Sequence, residues 1–274
     1  MGRAFFSKPW RDTENYQKDF DFVKSYKPRN QDVKHLRILL HGPVGAGKSS
    51  FYNSVESLLK GRVVGRAPTN TNTGKSFTLK YKAYTIQKDP DSFYPFIFND
   101  TMGFEEKTNN GVHVEDVKLA MRGHVPDGYK FNPEVQFQET DPGYKEHPTL
   151  DDRVHVLVCV MAAGLVSLTS DDVWKKMREV RLAASEMGIP QLAILTKVDE
   201  AFPEVKTNID KGYKHKCLKQ KVDEFSMSLG IQPNCIFLVK NYQSETNVNA
   251  DINALILSAL KWMVTSGEDY LNNL

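Results

Sequence analysis

The stretch His41-Gly42-Pro43-Val44-Gly45-Ala46-Gly47-Lys48-Ser49-Ser50 decides the fold. It follows the short apolar run Leu36 to His41 and leads into Ser49 to Leu59, where Tyr52, Val55 and Leu59 recur at helical spacing. The order is strand, glycine-rich loop, helix. A glycine, four free positions and then Gly-Lys-Ser in that context is the pattern of a phosphate-binding loop. Consecutive backbone N–H groups can curl around phosphate only where side chains are small, and the following helix adds the positive end of its dipole. Gly42, Val44, Gly45, Ala46, Gly47, Lys48, Ser49 and Ser50 are therefore candidate nucleotide contacts. Lys48, expected on an exposed loop with little packing, reaches the outer phosphates as a candidate catalytic charge, and Ser49 offers its hydroxyl to magnesium.

Working outward, Ser76 to Ile86 alternates Phe77, Leu79, Tyr81, Ala83 and Thr85 with polar residues, the period of a half-buried edge strand. Pro95 to Asn99, Val154 to Met161 and Leu192 to Thr196 read as interior strands, and Cys235 to Val239 supplies a sixth. Val173, Met177, Val180, Ala184 and Met187 keep one helical face, as do Ile252, Leu255, Ala259 and Met263. Alternating strands and helices predict an α/β domain of three layers, α/β/α, around a mostly parallel six-stranded sheet. Residues 1–34, with Tyr16, Phe20 and Val23 on one helical face that ends before Pro28, are expected to dock on a core of residues 35–274. Residues 123–152 are dense in Pro, Gly, Asp and Tyr without a period, and read as an insertion beside the site.

Two further motifs end predicted strands. In Asp100-Thr-Met-Gly103 the carboxylate suits magnesium through water and Gly103 can offer an N–H to the terminal phosphate. In Thr196-Lys197-Val198-Asp199 the carboxylate can accept from the ring N–H and the exocyclic amine of guanine, with the Lys197 stem along the base. Adenine offers no such amine, so this reading excludes ATP. The cofactors expected are GTP or GDP and Mg²⁺, with Ser49, Asp100 and one of Thr69, Thr71 and Thr73 on the metal; Thr73 is taken as the metal-linked catalytic threonine. After Gly103, where efficient GTPases place a glutamine to aim water, stands Phe104. Hydrolysis is expected to be slow, with Glu105, Glu106, Arg62 and Arg66 as nearby candidates to assist.

Composition narrows the partners. A hydrophobic share of 40% and a charged share of 26% over 274 residues match a globular domain, and the net charge of +2 argues against nucleic acid as a partner. The longest apolar run, Val156 to Val166, falls short of the roughly 18 residues a membrane span needs. Cys159, Cys217 and Cys235 lie far apart without metal-ligand spacing, and His41 and His155 have no metal-ligand company, which favours a reducing, cytoplasmic setting. Six lysines between Lys206 and Lys221 read as a solvated helix face.

The three motifs in this order resemble the small GTPase superfamily. Within it, Lys8-Pro-Trp-Arg11, Tyr26-Lys-Pro28, Arg37 through Val55, Asp100-Thr-Met-Gly103, Pro126-Asp-Gly-Tyr129, Leu195 through Asp199 and Asn241-Tyr242 resemble the interferon-induced protein 44 family. The resemblance implies an innate antiviral role and brings Asn241 to the nucleotide. Family members often carry a further N-terminal domain, whereas about 35 residues precede this core. Where small GTPases place Ser-Ala-Lys at the base, this chain has Val239-Lys-Asn-Tyr242. Two functions follow as expectations: a slow GTPase, or a nucleotide-dependent interaction protein whose homo-oligomer or protein partner responds to nucleotide state.

Overall fold

Leu39 faces one core while Leu36, Ile38 and Leu40 face another, which is how a strand buried on both sides divides its side chains. A computed structural model describes the chain at residues 4–12, 15–65, 80–105 and 111–274. The elements run α1 (Tyr16–Ser25), β1 (Leu36–His41), α2 (Lys48–Lys60), β2 (Lys82–Asp89), β3 (Ser92–Asp100), α3 (Val114–Arg122), β4 (Val156–Ala162), α4 (Asp171–Glu186), β5 (Gln191–Thr196), α5 (Val198–Ala201), α6 (Pro203–Thr207), α7 (Lys216–Leu229), β6 (Ile236–Leu238) and α8 (Ala250–Asn272). The sheet order is β2-β3-β1-β4-β5-β6, and every neighbouring pair is parallel except β2 with β3.

Three layers result. Leu36, Ile38 and Leu40 of β1 join Phe96 and Phe98 of β3, Phe51 and Val55 of α2, and Ile256, Leu260 and Met263 of α8 on one side. Leu39, Leu157, Cys159 and Leu195 meet Val117 and Met121 of α3, Met177 and Val180 of α4, and Val222 and Phe225 of α7 on the other. Each fully buried aliphatic or aromatic side chain contributes about 1.5–3 kcal/mol, so the sheet is held from both faces. α8 approaches the sheet closely at Gly267, where a Cβ would lie 2.5 Å from Leu36 Cδ1 and 2.7 Å from Val156 Cγ2.

The predicted α/β architecture and its six-stranded, mostly parallel sheet are what the chain adopts. Boundaries differ in places. Of the strand expected over Ser76 to Ile86, residues 76–79 lie outside the described residues, and the pairing seen runs from Lys82 to Asp89. The strand continues past Ile86 because a turn at Pro90-Asp91 closes a hairpin onto Ser92. Helices α3 and α7 add to the predicted helices; of the six lysines, Lys216, Lys219 and Lys221 fall on α7, Lys206 on α6, and Lys211 and Lys214 on the turn between them.

The segment before β1 lies against the core through α1 and α8, with the Tyr26 hydroxyl donating to Glu268 Oε2 at 2.8 Å. Ahead of it, Arg11 donates to the carbonyl of Asn234 at 2.7 Å and stacks 4.0 Å over the Phe237 ring. Between α3 and Leu150 the described chain holds no helix and no strand beyond a single bridge, Lys80 with Lys130. Tyr129 and Phe137 pack 4.3 Å apart there, Phe137 N–H donates to Asp116 of α3, and Ala83 N–H of β2 donates to Asp127. Among the described residues no helix is long and apolar enough to cross a membrane.

Candidate functional site

The parallel strands β1, β3, β4, β5 and β6 end on one edge of the sheet, and the crevice there opens where the chain has flanked β1 first with β3 and then with β4. The loop after β1 sits in it. Gly42 has φ +143°, and a Cβ would lie 2.1 Å from the Val160 carbonyl oxygen, so only glycine passes. Gly47 (φ +92°) caps α2, and a Cβ there would lie 3.0 Å from Asn241 Nδ2. Lys48, Ser49 and Ser50 begin α2, whose N–H groups and dipole face the crevice.

Lys48 corrects the expectation of an exposed loop side chain: it is only 7% exposed. Its ammonium turns back under the loop and donates to the carbonyls of Gly42 (3.2 Å) and Pro43 (3.1 Å), so the loop wraps the charge it was expected to present. Burial lowers its pKa, with Asp100 acting in the opposite sense. His41 beside it is pushed down to about 3 by burial and by the Lys48 charge, so it is neutral.

Asp100 ends β3 and is fully buried, and Ser49 Oγ donates to its Oδ2 at 2.5 Å. The two expected metal ligands are thus adjacent. Thr101 donates to the Leu40 carbonyl and ties the segment to β1. The chain then crosses the loop: Phe104 N–H donates to Gly42 O (3.1 Å) and Val44 N–H to Phe104 O (3.2 Å). This approach requires Gly103, where a Cβ would lie 2.6 Å from Val44 N. The Val44 N–H, expected on phosphate, is engaged by Phe104 here.

At the end of β5, Thr196 donates to the Ala46 carbonyl (2.5 Å) and the Met161 carbonyl (3.2 Å). It fastens the Thr196–Asp199 segment to the loop after β1 rather than capping α5. Lys197 is the one non-glycine residue with positive φ among the described residues, at +55°, a strained conformation that clusters at functional sites. Asp199 lies in the first turn of α5, and its Oδ2 stands 3.6 Å from Lys240 Nζ. Asn241 Nδ2 donates to Gly47 O at 3.3 Å, while its buried Oδ1 has no partner among the described residues.

Gly42, Val44, Gly45, Ala46, Gly47, Lys48, Ser49, Ser50, Asp100, Gly103, Thr196, Lys197, Asp199 and Asn241 therefore gather along one crevice. Thr73, with Thr69, Thr71, Arg66 and Glu106, lies outside the described residues. Lys240 and Glu245 were missed: Glu245 Oε1 sits 2.8 Å from Lys240 Nζ. Lys240 stood in the Val239–Tyr242 stretch already noted for its departure, whereas Glu245 carried no sequence signal. The donor set fits the expected ligands. A hydroxyl and a carboxylate side by side are the hard oxygens magnesium takes, and the narrow cradle at Gly42 and Gly47 suits phosphate.

No protein-family model matches the chain. Among solved structures, Toc33 from Arabidopsis thaliana in complex with GDP and Mg²⁺ aligns over 95% of this chain and 92% of its own, at 14% identity and a TM-score of 0.48. Interferon-induced protein 44-like from Homo sapiens is 31% identical over 253 residues. Interferon-induced protein 44 from Homo sapiens is 34% identical over 253 residues, 92% of this chain, and the chain spans 56% of the length of that relative.

Proposed function

We propose that this chain is a guanine-nucleotide-binding domain of the interferon-induced protein 44 type, taking GDP or GTP with Mg²⁺. The observation that carries the reading is the Thr196 hydroxyl on the Ala46 carbonyl. It holds Thr196–Asp199 at a set offset from the phosphate loop, so one ligand with phosphates at one end and a hydrogen-bonding ring at the other spans both. In this reading the α2 N-terminus and Lys48 take the phosphates, Ser49, Asp100 and Thr73 take the metal, and Asp199 takes the guanine edge. Mg²⁺ would supply charge neutralisation at the outer phosphates. Titration calorimetry with GDP and ADP in Mg²⁺ tests it; equal affinity for the two would end the guanine reading.

Hydrolysis in this reading is slow. Phe104 carries no group to aim water, and its ring is buried 6.1 Å from His41. Turnover is expected near the unassisted Ras rate, about 10⁻⁴ to 10⁻³ per second. Single-turnover assays over a range of protein concentrations check this; a fast, concentration-independent rate would mean that the catalytic group lies elsewhere. The second reading, a nucleotide-controlled interaction protein, is favoured by the direct hydrogen bonding of Phe104 to the phosphate loop, which couples the segment after Asp100 to the site. Pulldowns with each nucleotide separate the two. A cytoplasmic, antiviral role is part of the proposal; virus yield with and without the intact domain tests it.

A further inference from the structure

We propose that Lys240 reads the C6 oxo group of guanine with its side chain, in a stretch, Val239–Tyr242, where half of the backbone N–H groups are already taken. The inference rests on the guanine reading above. Two of the four backbone N–H groups of that stretch are already engaged: Val239 N–H donates to Leu195 O and Tyr242 N–H to Ser54 Oγ, each at 2.9 Å. The Lys240 side chain is only 14% exposed and stands beside the carboxylate expected to read the base. Its ammonium carries three N–H donors. Among the described residues it has two partners, Glu245 Oε1 at 2.8 Å and Asp199 Oδ2 at 3.6 Å. One donor remains.

Guanine presents a matching row of groups, with an amine and a ring N–H, both donors, followed by the C6 oxygen, an acceptor. A carboxylate flanked by an ammonium offers acceptor, acceptor, donor in the same order. Adenine inverts the last two, placing an unprotonated ring nitrogen opposite Asp199 and an amine opposite Lys240. A cation facing an amine donor in a half-buried site leaves both unsatisfied, so Lys240 adds discrimination as well as affinity. Glu245 anchors the ammonium, which limits the rotamer freedom lost when the base arrives. Next to it, the Asn241 amide on Gly47 O ties this loop to the phosphate loop and sets its height over the crevice.

The test is calorimetry in Mg²⁺ with GDP, 6-thio-GDP, whose sulfur is a poor acceptor at C6, and ADP, on the wild-type chain and on Lys240→Met, Lys240→Arg and Glu245→Gln. Wild type is expected to bind GDP more tightly than 6-thio-GDP. Lys240→Met should lose about 10- to 100-fold in GDP affinity, the worth of one charge-assisted hydrogen bond, and should no longer distinguish the two. Lys240→Arg should keep part of the preference, and Glu245→Gln should keep it at lower affinity. Equal weakening of GDP and 6-thio-GDP by Lys240→Met would mean that Lys240 only positions Asp199, and unchanged GDP affinity would remove it from the site; either overturns the proposal. Wild type binding GDP no better than ADP would instead overturn the guanine reading, and this inference with it.

Discussion

Replacing Lys48 with methionine should leave the ligand-free protein as stable as before or more so, while removing its response to nucleotide. Lys48 is 7% exposed and its ammonium is held by two carbonyls. Neither carbonyl is orphaned by the change, because Gly42 O keeps the Phe104 N–H at 3.1 Å and Pro43 O keeps the Ala46 N–H at 3.3 Å. The two lost hydrogen bonds therefore cost about 1 kcal/mol each, the usual net value. Against this stands the desolvation of a buried ammonium, several kcal/mol for an isolated ion, of which the attraction to Asp100 returns part. Methionine fills a similar volume. The balance is a change between zero and about 2 kcal/mol in favour of the variant, or several degrees in Tm at about 2–4 °C per kcal/mol. Burial lowers the pKa of Lys48, so the penalty it carries is full below its folded-state pKa and fades as pH rises toward the free lysine value, about 10.4. The advantage of the variant should shrink on the same path. Urea denaturation at several pH values, with and without GDP, measures all of this. At 100-fold excess over Kd, GDP should add about 2.7 kcal/mol to wild type and nothing to the variant. A loss of more than about 2 kcal/mol in the ligand-free variant would show that Lys48 is a structural tie, and a retained GDP response would show that the loop is not the site.

Asp199→Asn is expected to lose several kcal/mol of GDP affinity and to gain for the xanthine nucleotide, whose changed edge suits an amide; calorimetry showing equal losses for both would count against Asp199 as the base reader. Gly42→Ala should destabilise by about 3 kcal/mol or more, since its Cβ would lie 2.1 Å from Val160 O at φ +143°, whereas Gly45→Ala, at φ +75° with open space, should cost about 1–2 kcal/mol. Similar urea midpoints for the two would refute the packing argument. Burial works against ionised Glu245, but the Gln243 N–H and the Lys240 ammonium outweigh it and hold the carboxyl at about 2. Its contribution is present above the ordinary glutamate pKa near 4.3 and is lost as pH falls toward 2, so Glu245→Gln should flatten the acid limb of stability between those values. An unchanged limb would mean that the Lys240–Glu245 pair is loose in solution.

Much of this molecule was legible one residue at a time. The alternation of short apolar runs with helical periodicity requires a buried parallel sheet, since such strands hide both faces. The spacing Gly42 to Ser49 carries its own geometry, because only glycines reach φ +143° and +92° and only a strand-to-helix turn aims the amides inward. α3 and α7 were equally legible, since Val117, Ala120 and Met121 on the one and Leu218, Val222, Phe225 and Leu229 on the other recur at helical spacing; tertiary structure added that both pack on α4. What tertiary structure alone decided is which way charges face. Lys48 follows a loop that reads as exposed, yet the sheet edge and Asp100 close over it, and no local pattern encodes that burial. Asp199, Lys240 and Glu245 are separated by 41 and 5 positions, and they meet only because β5 and β6 end side by side. Sequence spacing reports periodicity within an element; pairing between strand ends depends on the register of the whole sheet, which is set by packing on both faces at once.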